Sequence, residues 1–450
     1  MSKLQWTEPA TQAQAPNIRI LLLDALRGVA LLGIYWINIV VFADDSNEAF
    51  TSATGLSALD TSFVTGNFTD IFVEGTMRGL FSILFGASAL VFLNEVKLAT
   101  QGLEIVDRYY RRTLLLVLFG FIHAYFLLWP FDVLYVYGIL GMFLFPLRKI
   151  SGKILLCLGV ILLILGDINI ADRITSITSH EKEKIESISD IVDDTAREIV
   201  RKTLMSQPED SNQDNPPETS ENTVTGQNIP INPSISEQAK IPTWSYAQLF
   251  QKNMSDVSEH HSTKLYNDYL FDVGGMMIIG MALFKFGVLI GTRTRKFYFF
   301  LMLLSYIIGY VVRDTSIYNY VSATFHLADD FNETLLGYNL GRFIVTLGHI
   351  GLIGLLMKLN FLSRLTDLFV AIGRLALTNY IMQTIISLLI FYVFFSELIS
   401  AFDQAKLIYI LLLVWVFQVG FSLLWLKYFK LGPLEWIWRS LTYGKRQAIR

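Results

Sequence analysis

A chain of 450 residues that is 53% hydrophobic, 14% aromatic and 17% charged, with mean hydropathy +0.45, is too apolar for a soluble domain, which is about 25% charged. The formal net charge of −3 carries no partner signal, because the location of charges matters more than their sum, and no nucleic-acid partner is expected. One cysteine, Cys157, excludes an intrachain disulfide and any multi-cysteine metal site.

Residues 18–42 read as a membrane-spanning helix that is retained rather than cleaved, since charges interrupt its apolar run. Asp24 and Arg27 lie three residues apart on one helical face, and that face continues through Leu31 and Tyr35 to Asn38. A charge at the centre of a span costs roughly 2.5–3.5 kcal/mol on insertion scales, so the pair and the stripe behind it need a protein interior or a watery cavity.

Nine further apolar segments follow, at 70–93, 112–129, 131–147, 153–170, 269–290, 297–313, 336–357, 375–396 and 407–427. The third and fourth spans are separated by a tight turn at Trp129-Pro130. With the N-terminus in the cytoplasm, the short inner segments carry twenty-one Lys and Arg and the short outer ones two, Arg313 and Lys406. That bias predicts an all-α polytopic membrane protein of about ten spans with both termini cytoplasmic. Residues 1–170 and 269–450 form two five-helix halves, separated by an extracytoplasmic insert at 171–268. Within the insert, about 180–205 has helical periodicity, whereas 207–240 is rich in Pro, Asn, Ser, Gln and Glu and is expected to be disordered.

Four basic residues remain inside spans: Arg27, Arg78, Lys285 and Arg342. Lys285 sits near a helix end and can snorkel. Arg78 shares a face with Glu74 and Ser82, while Asn339, Arg342, Thr346 and His349 make a second polar face, and Asn379, Gln383 and Ser387 a third. Together these stripes suit a central polar cavity. His123, with Asp132 beyond the turn, is the sharpest candidate for chemistry: a carboxylate beside the imidazole would fix its tautomer and raise its basicity. The bland alternative is that His123 is a satisfied interhelical hydrogen-bonder, and that His349 is structural or cavity-lining. A metal site is not expected, since His260-His261 lacks ligand spacing, and no phosphate-binding or dinucleotide fingerprint is present.

Three segments carry a family resemblance. They are Arg19-Ile-Leu-Leu-Leu-Asp24-Ala-Leu-Arg27-Gly28 with Asn38; Arg111-Arg112-Thr-Leu-Leu-Leu-Val-Leu-Phe-Gly120-Phe-Ile-His123 with Asp132-Val-Leu-Tyr-Val-Tyr-Gly138; and Gly373-Arg374-Leu-Ala-Leu-Thr378-Asn379-Tyr380-Ile-Met-Gln383 with Gly432-Pro433-Leu-Glu435-Trp436-Ile-Trp438-Arg439. Together they resemble the YeiB-like family of bacterial inner-membrane proteins, over nearly the whole chain except the insert. The first span is also similar to that of the transmembrane acyltransferases, including heparan-α-glucosaminide N-acetyltransferase. That resemblance implies transfer of an acyl group from cytoplasmic acyl-CoA or acetyl-CoA to an extracytoplasmic hydroxyl or amine acceptor. The heparan-type enzymes carry a histidine before their second span, whereas residues 43–69 here contain none, so His123 is the nearest substitute.

On that reading His123 and Asp132 are catalytic. Asp24, Arg27, Asn38, Arg78, Arg342, His349, Asn379 and Gln383 would line the donor path, with Asp24 orienting Arg27 and the two other arginines stabilising developing negative charge. The alternative is a transporter or lipid-binding protein, because buried Arg and His also mark substrate and proton pathways. A third is a scaffold whose stripes only join helices. The bilayer is the expected environment under each, and self-association as a homo-oligomer is compatible with all three.

Overall fold

The computed structural model describes residues 20–43, 68–99, 103–170, 246–313, 337–359, 362–394 and 404–450, and among these it is built from helices alone. The helical tract expected near 180–205, the Pro-rich tract at 207–240 and all but the ends of the histidine-free segment 43–69 lie outside the described residues. The helices in chain order are α1 Leu21–Ala43, α2 Thr76–Ala99, α3 Leu103–Phe126, α4 Val133–Leu147, α5 Gly152–Ile170, α6 Tyr246–His261, α7 Asp272–Lys285, α8 Arg295–Arg313, α9 Tyr338–Leu356, α10 Ser363–Arg374, α11 Ala376–Leu388, α12 Gln404–Tyr428 and α13 Pro433–Tyr443.

Among the described residues, seven helical segments are long and apolar enough to cross a membrane: Leu21–Phe42, Thr69–Asn94, Gly152–Ile170, Arg295–Arg313, Tyr338–Leu356, Ala376–Phe394 and Leu407–Tyr428. Three of the ten expected spans take other forms. α4 has 15 residues and α7 has 14. At 1.5 Å per residue, α7 by itself is about 21 Å long, against a hydrocarbon core of about 30 Å, and a helical turn at Leu265–Tyr269 leads into it. It is apolar all round because it is enclosed: Asp272 to Leu283 is buried without interruption. α3 starts earlier than expected, and its first turns are charged and exposed, with Arg111 paired to Asp107 at 2.7 Å.

Burial separates inner helices from outer ones. α1, α2 and α9 are mostly covered by protein, whereas α5, α8 and α12 are mostly exposed and present apolar side chains such as Phe300, Ile307, Leu413 and Val416. An apolar exterior of this kind is the surface that lipid covers. α8 is buried only at Tyr298, Ser305 and Gly309, a narrow seam facing α9.

The core forms where helices approach closely. α1 crosses α10 at two glycines, because a side chain on Gly28 would strike the Phe369 carbonyl and one on Gly373 the Asp24 carbonyl. Small residues are what allow backbones to meet when lipid supplies no hydrophobic drive between helices. This crossing brings Asp24 and Arg27 beside the α10–α11 junction. At the opposite end of the bundle, α6 lies against α3, with Tyr246 Oη donating to the Phe126 carbonyl at 3.0 Å and Asn253 Nδ2 to the Ala124 carbonyl at 2.9 Å.

Candidate functional site

A cavity of about 250 Å³ lies between α1, α2, α3, α4, α11 and α13. Its mouth is basic, with Arg27, Arg112, Arg374 and Arg439 among the lining residues, and its inner walls are apolar and aromatic, including Leu31, Phe81, Leu116 and Leu134. Val133, Tyr137 and Tyr380 also line it. Arg27 is held in place by two bonds, from Nη1 to Asp24 Oδ1 at 2.8 Å and from Nη2 to Ser88 Oγ at 2.7 Å, and its side chain keeps 25% exposure. Arg112 lies over Trp438 and Phe92, each at 4.8 Å. Such geometry spreads cationic charge over a narrow opening that suits phosphate or carboxylate.

α13 closes the mouth. Pro433 starts this helix, and Glu435 in its first turn reaches across to the N-terminus of α11, accepting from Leu377 N at 2.7 Å, Thr378 N at 3.0 Å and Thr378 Oγ1 at 2.5 Å. A carboxylate at a helix N-terminus satisfies backbone donors that the helix itself leaves unpaired. Burial pushes the Glu435 carboxyl above its ordinary value, and the three hydrogen bonds oppose that rise.

Beyond the cavity wall sits a buried relay. His123 Nδ1 donates to Asp132 Oδ1 at 2.7 Å, and both side chains are fully enclosed. On the other side of the ring, His123 Nε2 pairs with Thr384 Oγ1 at 2.8 Å. With Nδ1 facing a carboxylate oxygen, the tautomer that donates from Nδ1 leaves Nε2 to accept from the Thr384 hydroxyl. Asp132 caps α4, with Oδ2 accepting from Tyr135 N at 2.8 Å, so both carboxylate oxygens are fixed. Gly120, one turn before His123, makes this possible, because a side chain there would collide with Asp132 Oδ2 and Tyr135 N. The Tyr380 ring packs edge-on against the imidazole at 4.9 Å between centroids, so one residue touches both the cavity and the relay.

The remaining sequence candidates fall elsewhere. Asn38 is half-buried on α1, outside the cavity lining. Asn379 and Gln383 join helices. Asn379 Nδ2 donates to Ser422 Oγ at 3.0 Å and Gln383 Nε2 to Gln418 Oε1 at 3.0 Å, while Gln418 Nε2 returns a bond to the Asn379 carbonyl at 3.0 Å. Arg78 and Arg342 converge on Asp272, at 2.6 Å and 3.5 Å, and Arg313 pairs with Glu74 at 3.2 Å. Tyr338 Oη donates to the other oxygen of Glu74 at 3.1 Å, and Asp167 accepts from Asn339 N at 2.7 Å. These charges form a separate network that does not line the cavity. His349 is fully bonded: Nε2 donates to the Phe72 carbonyl at 2.9 Å and Nδ1 accepts from Tyr306 Oη at 2.8 Å.

The histidine pair at 260–261 ends α6. His260 Nδ1 bonds Tyr269 Oη at 3.1 Å, and His261 stacks on Tyr135 at 3.8 Å. Burial holds His260 down to about 3, aided by nearby cations, of which Lys264 is the first. Among the described residues, no group of three His, Cys, Asp or Glu is placed to hold a metal ion.

Residues 283–445 match the family model described as "Protein of unknown function (DUF418)". The chain is 29% identical to "Uncharacterized protein YxaH" of Bacillus subtilis, over 97% of this chain and 98% of that one. It is 26% identical to "Uncharacterized protein YeiB" of Escherichia coli, over 93% and 95%. It is also 27% identical to "Uncharacterized 39.9 kDa protein in amylase 3'region" of Bacillus acidopullulyticus, over 96% of each chain. The chain is thus similar to YeiB and YxaH along nearly its whole length. No solved structure matches it. The names of these relatives state no activity. The DUF418 match contains Arg374, Tyr380, Thr384 and Glu435, whereas Arg27, His123 and Asp132 precede it.

Several residues of the site escape a reading of spans one at a time. Thr384 is a hydroxyl in an apolar run, Ser88 a small residue in another, and Asp272 sits at the edge of a segment that looks uniformly apolar. Thr384 does carry a signal in retrospect: it lies seven residues after Leu377 and four after Tyr380, on their helical face.

Proposed function

We propose that this YeiB-like membrane protein transfers an acyl group from cytoplasmic acyl-CoA to a hydroxyl or amine acceptor on the far side of a bacterial inner membrane, with both termini cytoplasmic. The observation that carries the reading is the course of the cavity, from four arginines at the basic end to Tyr380, whose ring backs onto His123. The donor's phosphates bind at Arg27, Arg112, Arg374 and Arg439, where charge-assisted hydrogen bonds are strongest. Its flexible arm lies along the apolar walls and delivers the thioester toward Tyr380. His123, oriented by Asp132, supplies the base.

Calorimetry with acetyl-CoA on the detergent-purified protein tests the donor site. Arg27→Ala and Arg439→Ala are each expected to weaken binding about 10-fold or more, the worth of one hydrogen bond to a charged group, with the melting temperature little changed. Absence of acetyl-CoA binding by the parent protein overturns the reading. The buried Arg78–Asp272–Arg342 network favours the transporter alternative, since intramembrane charges also mark permeation paths. Solute flux in vesicles that is indifferent to CoA and abolished by Arg342→Gln would establish that alternative.

A further inference from the structure

We infer that Thr384 is the nucleophile of a two-step transfer, carrying the acyl group as an ester before the acceptor receives it. The inference rests on the acyl-transfer reading above and adds an intermediate to it. Its ground is that His123 is not poised to act directly on a substrate. Nδ1 is committed to Asp132 at 2.7 Å, and Nε2, the nitrogen that would accept a proton, is committed to the Thr384 hydroxyl at 2.8 Å. The proton that His123 is placed to remove is therefore the one on Thr384 Oγ1.

The three groups have the order that activates a hydroxyl: nucleophile, base, and a carboxylate that fixes the base. The carboxylate is itself immobilised by Tyr135 N at 2.8 Å. All three side chains are enclosed, with Thr384 2% exposed and the other two fully buried, so an ester formed there is shielded from bulk water and hydrolyses slowly enough to be trapped. Thr384 also lies on the correct wall. α11 presents Leu377 and Tyr380 to the cavity, and Thr384 continues that face by one turn. Tyr380 lines the cavity and packs its ring on His123, so it stands between the cavity and the relay. Its phenol can donate to the oxygen of the attacked carbonyl.

The chemistry balances within the relay. Thr384 Oγ attacks the thioester carbonyl as His123 Nε2 takes its proton. The carbon–sulfur bond breaks, and the CoA thiolate recovers that proton from the imidazolium. In the second step an acceptor hydroxyl, or water in its absence, attacks the threonyl ester while His123 Nε2 takes the incoming proton. The carbon–oxygen bond to Thr384 breaks, and the proton returns to Oγ.

The experiment is to mix the full-length protein in detergent with acetyl-CoA labelled in the acetyl group, quench in acid and locate the label by peptide mass spectrometry. Label is expected on the peptide containing Thr384, retained in Thr384→Ser. In Thr384→Ala it should be absent, with acetyl-CoA turnover falling by roughly 10³-fold or more. Thr384→Cys should convert the ester into a thioester cleaved rapidly by neutral hydroxylamine, a chemical change that a purely structural threonine cannot produce. Acetyl-CoA turnover that persists in a folded Thr384→Ala protein overturns the intermediate and leaves acyl transfer standing. An unlabelled parent protein that neither binds nor turns over acetyl-CoA overturns both.

Discussion

Two regions of this molecule bury charge in different ways. At the cavity mouth, Arg27 keeps a quarter of its side chain exposed and has one ionic partner and one hydroxyl partner. In the network around Asp272, Arg342 is 1% exposed, and its Nε and Nη2 have no hydrogen-bond partner among the described residues. A half-solvated cation next to open space can exchange water for a ligand anion at small cost. A sealed cation depends on the acids that neutralise it, so the second region acts first on stability and the first region on binding.

The largest expected effect comes from removing the acid that the sealed Arg342 shares with Arg78, whose side chain is 27% exposed. Asp272→Ala leaves Arg78 and Arg342 facing one another without their common carboxylate, and breaking a buried pair this way costs about 3–5 kcal/mol. The variant should lose most of its folded yield, or unfold at a much lower temperature in detergent, whereas Arg27→Ala should do neither. A thermal melt of Asp272→Ala that matches the parent would remove the distinction between the two regions.

A middle-sized effect tests the relay without touching a titratable group. Gly120→Ala places a methyl against Asp132 Oδ2 and Tyr135 N. Overpacking of this kind costs about 1–3 kcal/mol. Here it also pushes Asp132 off His123. Acetyl-CoA turnover should therefore fall by more than the melting temperature alone accounts for. Calorimetric acetyl-CoA affinity should hold, because Gly120 does not line the cavity.

These contrasts bear on how much the sequence itself discloses. The Asp24–Arg27 pair, the His123–Asp132 approach and the helical class follow from periodicity and from the cost of isolated charge in lipid, which are local properties. The separation of Arg78 and Arg342 from the cavity does not follow, because a stripe on one helix says which residues share a face but not which neighbour that face meets. Asn379 and Gln383 look like cavity lining for the same reason, until Gln418 and Ser422 on α12 are seen opposite them. The span count turns on length: α7 has the composition of a membrane helix but only 14 residues, with Asp272 to Leu283 buried, and it follows directly on a helical turn at Leu265–Tyr269. Thr384 is legible only through its place on the face of Leu377 and Tyr380, because one hydroxyl in a helix satisfies itself readily and imposes no polar pattern of its own.

The smallest effect concerns the mouth and is read through pH. Glu435 has its proton affinity raised by burial above the ordinary value of 4.5, so the folded protein holds that proton more tightly than the unfolded chain does. Below pH 4.5 both states are protonated and the contribution to stability is complete. As pH rises through the raised folded value, the contribution is lost, with a slope no steeper than about 1.4 kcal/mol per pH unit for a single proton. Glu435→Gln keeps an acceptor for the Leu377 and Thr378 N–H groups but has nothing to titrate. Melting temperatures measured upward from pH 4.5 should fall less in the variant than in the parent. Acetyl-CoA binding should gain in the variant at neutral pH, since a negative charge leaves an opening lined by four arginines. Parallel pH profiles in the two proteins would mean that the ionised carboxylate is already fully accommodated by its three donors, and the mouth would then be governed by its arginines alone.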